Sequence, residues 1–90
     1  MDRQQFEAEL QKDGFSVREA SMDAGTFNAD HTHPFDARLF ILDGEISVSY
    51  EGQTKTCRAG DVFSLDANIL HSESVGPNGV SYVAGRREKP

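Results

Sequence analysis

The chain contains three histidines, and they fall in two short stretches: His31 and His33 in "DHTHPFDARLF" (30–40), and His71 in "ILHSESV" (69–75). On a β-strand residues i and i+2 point to the same face, so His31 and His33 project together with Thr32 turned away. Imidazole is the commonest protein ligand of Zn, Ni, Cu and Fe, and three imidazoles on one ion leave at least one coordination position open. A single strand histidine is more often a surface or hydrogen-bonded residue. The metal reading therefore depends on the fold bringing His71 to the other two across forty positions of sequence.

Two carboxylates stand near these histidines. Glu73 lies two residues after His71 on the same expected strand, so both should face the same interior. A carboxylate there must bind the metal, pair with a cation or hydrogen-bond a ligand histidine, because burying it alone is costly. The competing placement for Glu73 is the solvated rim. Asp36, three residues past His33, is the weaker candidate, since strict alternation turns it outward unless Pro34 breaks the pattern. Glu73 is also the one convincing candidate for a general base. Arg38 is expected to pair with Asp36 or to contact an anion, and Tyr50 and Tyr82 could offer a hydroxyl to a ligand. Cys57 has no neighbouring base that would activate it and reads as a half-buried filler. Phe27, Phe35, Phe40, Phe63, Leu39, Ile41, Val48 and Leu65 read as core and pocket wall. No phosphate-cradling glycine loop, nucleophile elbow or CxxC pair occurs.

The elements that must hold these residues are mostly strands. "EISVSY" alternates, with Ile46, Val48 and Tyr50 on one face. "RLFILD" is apolar on both faces and must be covered on both sides. "QTKTCR", "VFSL", "ILHSESV" and "VSYVAG" complete the set. From residue 44 onward turn signals recur every 7 to 10 residues, the rhythm of short antiparallel strands. Asp43-Gly44 reads as a tight hairpin turn, and Gly76-Pro77-Asn78-Gly79 as a further turn. The opening residues read as a helix instead. Asp2 and Gln5 form a capping box, Phe6 and Leu10 share a face, and Gly14 stops it. One thin apolar stripe does not hold a short helix in water, so it must dock on the domain or on a second copy.

Ninety residues make one small domain, which buries only about 60–65% of its unfolded surface. That size, the doubly apolar strand and the helix in need of a dock together predict a homodimer. A net charge of −6 argues against nucleic acid, whose phosphates need clustered Lys and Arg. The nearest basic cluster, Arg86-Arg87-Glu88-Lys89-Pro90, reads as a solvated tail. No apolar run approaches the ~20 residues of a membrane span. "MDRQQFEAEL" lacks the apolar segment of a signal peptide, and the single cysteine cannot form an internal disulfide. These features lead us to expect a cytoplasmic setting.

The frame around the histidines resembles the cupin superfamily, specifically its small single-domain type. The first cupin motif is Gly, five residues, His-x-His, three or four residues, Glu, six residues, Gly. Here it reads Gly25-"TFNAD"-His31-Thr32-His33-"PFD"-Ala37-"RLFILD"-Gly44. The second is Gly, five residues, Pro-x-Gly, two residues, His, three residues, Asn. Here it reads Gly60-"DVFSL"-Asp66-Ala67-Asn68-"IL"-His71-"SES"-Val75. The resemblance implies an all-β fold: a small antiparallel β-barrel, or double-stranded β-helix of the jelly-roll kind, with the short N-terminal helix outside it. It also implies metal ligation by His31, His33 and His71. The expected layout is a helix over residues 1–13, a barrel over 14–85 and a tail over 86–90.

The chain departs from the pattern at the family's metal-binding Glu, which is Ala37 here and has no donor atom. Glu73, or less readily Asp36, could replace it; otherwise the site has three histidines alone. In cupins the metal activates dioxygen or polarises a carbonyl-bearing substrate. The resemblance thus implies a divalent transition metal (Zn, Ni, Fe, Mn or Cu) with an open position for a small anionic or carbonyl-bearing ligand. Dioxygenase or isomerase chemistry follows from one reading. A non-catalytic small-molecule or metal-binding module, or an accessory protein, follows from the other.

Overall fold

The computed structural model describes residues 1–88. Helix α1 (Arg3–Lys12) is followed by six strands: β1 (Ser16–Met22), β2 (Phe27–His31), β3 (Phe35–Tyr50), β4 (Gln53–Arg58), β5 (Val62–Leu65) and β6 (His71–Glu88). β3 and β6 are long and pair antiparallel along most of their length. The short strands take their other edges, β5 and β4 on β3, and β1 and β2 on β6. The antiparallel β fold with one helix is the one expected. Among the described residues no helix is long and apolar enough to cross a membrane.

Two expected turns are not turns. Asp43-Gly44 does not reverse the chain; β3 runs through it, with register shifts on both sides. Gly44 does adopt the positive φ that a hairpin glycine would, at 81°. It uses that conformation to bend a continuous strand, and a Cβ at this position would collide with the carbonyl oxygen of Gly79. Gly76-Pro77-Asn78-Gly79 is the matching irregularity in β6. It lies between Val75, which pairs with Ile46, and Val80, which pairs with Gly44. The two long strands bend together at this point, and each half of β3 meets a different half of β6.

The helix begins with the expected capping box: Asp2 accepts from the Gln5 backbone while the Gln5 side chain accepts from that of Asp2. Phe6 and Leu10 are buried, packed with Phe15, Phe40 and Val83. The Phe6 ring stacks on that of Phe40 with centroids 5.5 Å apart. This packing explains the doubly apolar strand. Ile41 faces the main core with Ile46, Val48, Cys57, Phe63 and Val75, while Phe40 faces α1. Two of the three grounds for a homodimer are thus satisfied within one chain; the size argument stands by itself.

Phe27 differs from expectation, being 66% exposed rather than part of the core. The pairing of β2 with β6 slips between Asn28 and His31, which breaks strict alternation. Asn28 and His31 are both half-buried as a result, and Phe27 points out. The expected tail over 86–90 also begins too early, because β6 continues through Glu88. Arg86 pairs with Ala37 and Arg87 with Asp36 across the β3–β6 ladder. Lys89 and Pro90 lie outside the described residues.

Candidate metal centre

His31 ends β2 and His71 opens β6, and the two are direct antiparallel partners. His33 follows two residues later, in the short link between β2 and β3 rather than on a strand. That link is tied to the loop delivering His71: the backbone N–H of Asn68 donates to the His33 carbonyl at 2.8 Å. Asn68 holds a positive φ of 67°, so the residue replacing the family's turn glycine does adopt the turn conformation. Asp36 secures the same loop from below. It is buried, accepts from the Ala67 backbone N–H at 2.9 Å and pairs with Arg87 at 3.1 Å. Asp36 is therefore a strut for the loop, and alternation along β3 turns it away from the histidines.

The three rings converge. Centroids are 4.3 Å apart for His31–His71, 4.8 Å for His31–His33 and 5.1 Å for His33–His71. One ligand nitrogen from each lies within 4.8 Å of the others. In a tetrahedral site with bonds of about 2.1 Å, neighbouring nitrogens are about 3.4 Å apart, so this set is open by no more than on the order of an ångström per pair. Nδ1 of His31 lies 2.7 Å from the carbonyl of Ala29, and Nδ1 of His71 lies 2.9 Å from that of Ile69. A carbonyl only accepts, so each Nδ1 carries a proton, and in the neutral ring Nε2 presents the lone pair. This is the tautomer that would ligate through Nε2, and the backbone selects it. The pKa of His33 is lowered from its ordinary value, by burial first and then by the neighbouring His31 and His71, which favours the neutral, ligating form. The donor set fits a divalent transition metal.

Glu73 stands beside this cluster rather than in it. Asn28 Nδ2 donates to its Oε1 at 3.0 Å, and the same oxygen lies 3.8 Å from Nε2 of His31. Its side chain is 16% exposed, so it belongs to the wall and not to the solvated rim. Ala37 also lines the cavity, and no carboxylate replaces the family's Glu at that point of β3. The cavity has a volume of about 270 Å³, and its floor is apolar, formed by Leu39, Val48, Phe63 and Leu65.

The remaining candidates divide. Tyr82 lines the cavity, and burial raises its phenol pKa. Tyr50 packs edge-on against Phe63, with centroids 5.7 Å apart. Arg38 does not pair with Asp36: it donates to Asp13 at 2.6 Å and lies over the Phe15 ring. Cys57 is fully buried, and burial raises its thiol pKa, so it is inert as expected. Sequence reasoning missed Asn28 and Arg86 as cavity residues. The strand slip that turns Asn28 inward has no local signature. Arg86 could have been found only from its pairing with Ala37.

The sequence profile described as "Cupin domain" matches residues 18–75, which include all three histidines. No curated protein matches the chain in sequence. Among solved structures, an RmlC-like cupin from Shewanella frigidimarina is similar, with a TM-score of 0.71 and 21% identity over 83% of this chain and 67% of that one. A protein from Rhizobium leguminosarum gives a TM-score of 0.77 and 17% identity over 83% and 71%. The DMSP lyase DddQ from Ruegeria pomeroyi gives 0.73 and 22% over 83% of this chain and 39% of that one. At such identities these likenesses speak for the fold alone. With both histidine stretches lying inside the matched profile and the barrel reproduced by solved cupins, the chain belongs to the cupin domain family.

Proposed function

We propose that this cupin binds one divalent transition metal through Nε2 of His31, His33 and His71, leaving a coordination position open toward the cavity for a small anionic or carbonyl-bearing ligand. The observation that carries this reading is the pair of Nδ1–carbonyl contacts, which leave His31 and His71 ready to ligate through Nε2. The metal would supply Lewis-acid polarisation of a ligand oxygen. The chain supplies the rest. The apolar floor offers water no hydrogen-bond partner, Asn28 orients the Glu73 carboxylate, and Glu73 can hold or accept a proton beside His31. A carboxylate so placed favours proton-transfer chemistry of the isomerase kind over dioxygenase chemistry. The existence of a lyase on a similar fold supports the enzyme reading at the level of fold only.

A second reading is a non-catalytic binding module. It is favoured by Ala37, where the family's metal-binding carboxylate is missing. Elemental analysis of tag-free protein tests the shared part: about one equivalent of metal is expected, and its loss in His33→Ala. Metal-free protein whose melting temperature ignores added Zn2+, Ni2+ and Fe2+ would refute the metal site and leave only a metal-free module. Turnover of small enolisable acids by the loaded protein separates the enzyme from the module. From chain size alone we also propose a homodimer, and a monomeric mass in light scattering at micromolar concentration would remove it.

A further inference from the structure

The cavity wall contains a cation that neither motif supplies. Arg86 lies on β6 directly opposite Ala37 on β3, and both residues line the cavity, Arg86 as an exposed residue at its edge. Directly opposed residues of an antiparallel pair project from the same face with Cβ atoms about 5 Å apart. Arg86 thus occupies the sector that the missing carboxylate leaves open. Its guanidinium is steered rather than loose: Cζ sits 4.5 Å above the Phe35 ring, and that ring stacks on His33 at 4.7 Å. A guanidinium held over a ring this way has no hydrogen-bond acceptor in the ring, so its fork of donors can still meet a carboxylate. Among the described residues no ion pair engages Arg86 or Arg18, whereas Arg3, Arg38, Arg58 and Arg87 each have one.

Charge points the same way. The chain as a whole carries −6, so a positive cavity is not a by-product of a basic protein. Neutral imidazoles leave the charge of a bound divalent ion uncompensated, Arg86 adds to it, and Glu73 is the one acid in the wall. The floor below is apolar, and the volume of about 270 Å³ lies just under the ~300 Å³ where ordinary ligand pockets begin. We propose that Arg86 is the specificity-determining residue of this cavity, and that the ligand it selects is a small monocarboxylate with a compact apolar body. This rests on the metal-site reading above, and deepens it by naming the ligand class and the residue that recognises it.

The test uses zinc-loaded full-length protein, with benzoate as the probe and benzamide as its uncharged counterpart, titrated calorimetrically. Benzoate is expected to bind the unaltered protein and to bind Arg86→Gln at least about tenfold more weakly, the scale of one charged hydrogen bond. Benzamide should bind both weakly and alike. Because Arg86 also packs on Phe35, Arg86→Lys provides a second route. It keeps a cation on the same stem but not the fork, and should bind benzoate more tightly than Arg86→Gln does. Benzoate affinity unchanged in Arg86→Gln, Arg86→Lys no tighter than Arg86→Gln, or no benzoate binding to the zinc-loaded protein at millimolar concentration, overturns the proposal while leaving the metal site standing. Failure of the protein to hold zinc overturns the metal reading and this proposal with it.

Discussion

His31 and His71 face each other across the β2–β6 pair as cross-strand partners, and each directs Nδ1 at the carbonyl two residues earlier in its own chain segment. The two segments are unrelated in sequence, yet they fix their rings in the same way. In each case the carbonyl immediately precedes the approach to the ligand residue, so backbone geometry sets the tautomer. Two of the three rings are therefore ordered by the fold itself, which lowers the ordering cost of the proposed metal binding.

His71→Ala should lower zinc affinity by more than the roughly 10–100-fold that loss of an outer-shell partner costs. His71 is buried, and its replacement also removes ring contacts with both other histidines. Competition against a chromophoric chelator measures the change. Affinity within a few-fold of the unaltered protein would place the ion elsewhere.

Glu73→Gln should leave the metal stoichiometry intact. Glu73 approaches His31 at 3.8 Å while held by Asn28, which is the geometry of a neighbour to the ligands. A loss of affinity of up to about tenfold is expected, together with a larger loss of any proton-transfer turnover. Chelator competition and elemental analysis read the first effect. Substoichiometric metal in the variant would instead make Glu73 a fourth ligand.

The helix dock should show strong coupling between Leu10 and Gly85. Leu10→Ala is expected to cost about 2–5 kcal/mol in urea denaturation. A Cβ at Gly85 would lie 2.6 Å from one Leu10 methyl and 2.8 Å from the other. Gly85→Ala should therefore cost about 1–3 kcal/mol alone, and clearly less in the Leu10→Ala background. Strict additivity in the double-mutant cycle would mean that the two residues do not meet.

Acid stability should depend in part on Asp13. Its carboxyl is held below the ordinary aspartate value of about 3.9, chiefly by the hydrogen bond from Arg38. A lowered folded-state value means the contribution is fully present above the unfolded pKa and disappears as pH falls through the folded one. Asp13→Asn should thus be less stable than the unaltered protein at neutral pH, with the two urea midpoints converging as pH falls below about 4. A constant offset from pH 7 to pH 2 would remove Asp13 as the source.

The sequence by itself determined the chemistry-bearing residues and the type of fold. His31, His33 and His71 were legible because the spacing of two motifs is a local fact, although His33 lies in a link and not on the strand whose period pointed to it. The capping box of α1 and the alternation of Ile46 and Val48 were legible for the same reason. What tertiary structure decided is everything that depends on a partner distant in sequence. A glycine with positive φ serves a hairpin and a bulge equally well, and only the approach of Gly79 makes Gly44 a bend in a continuous strand. Arginines near a chain end look like a tail until β3 lies beside them; their side chains are exposed as expected, but on a strand that sets Arg86 against Ala37 and Arg87 against Asp36. The helix stripe shows that Phe6 and Leu10 need cover, but not that Phe40 and Val83 of the same chain provide it. Backbone conformation is encoded within a few residues, whereas the identity of a neighbour across a sheet is fixed only when the strands have paired.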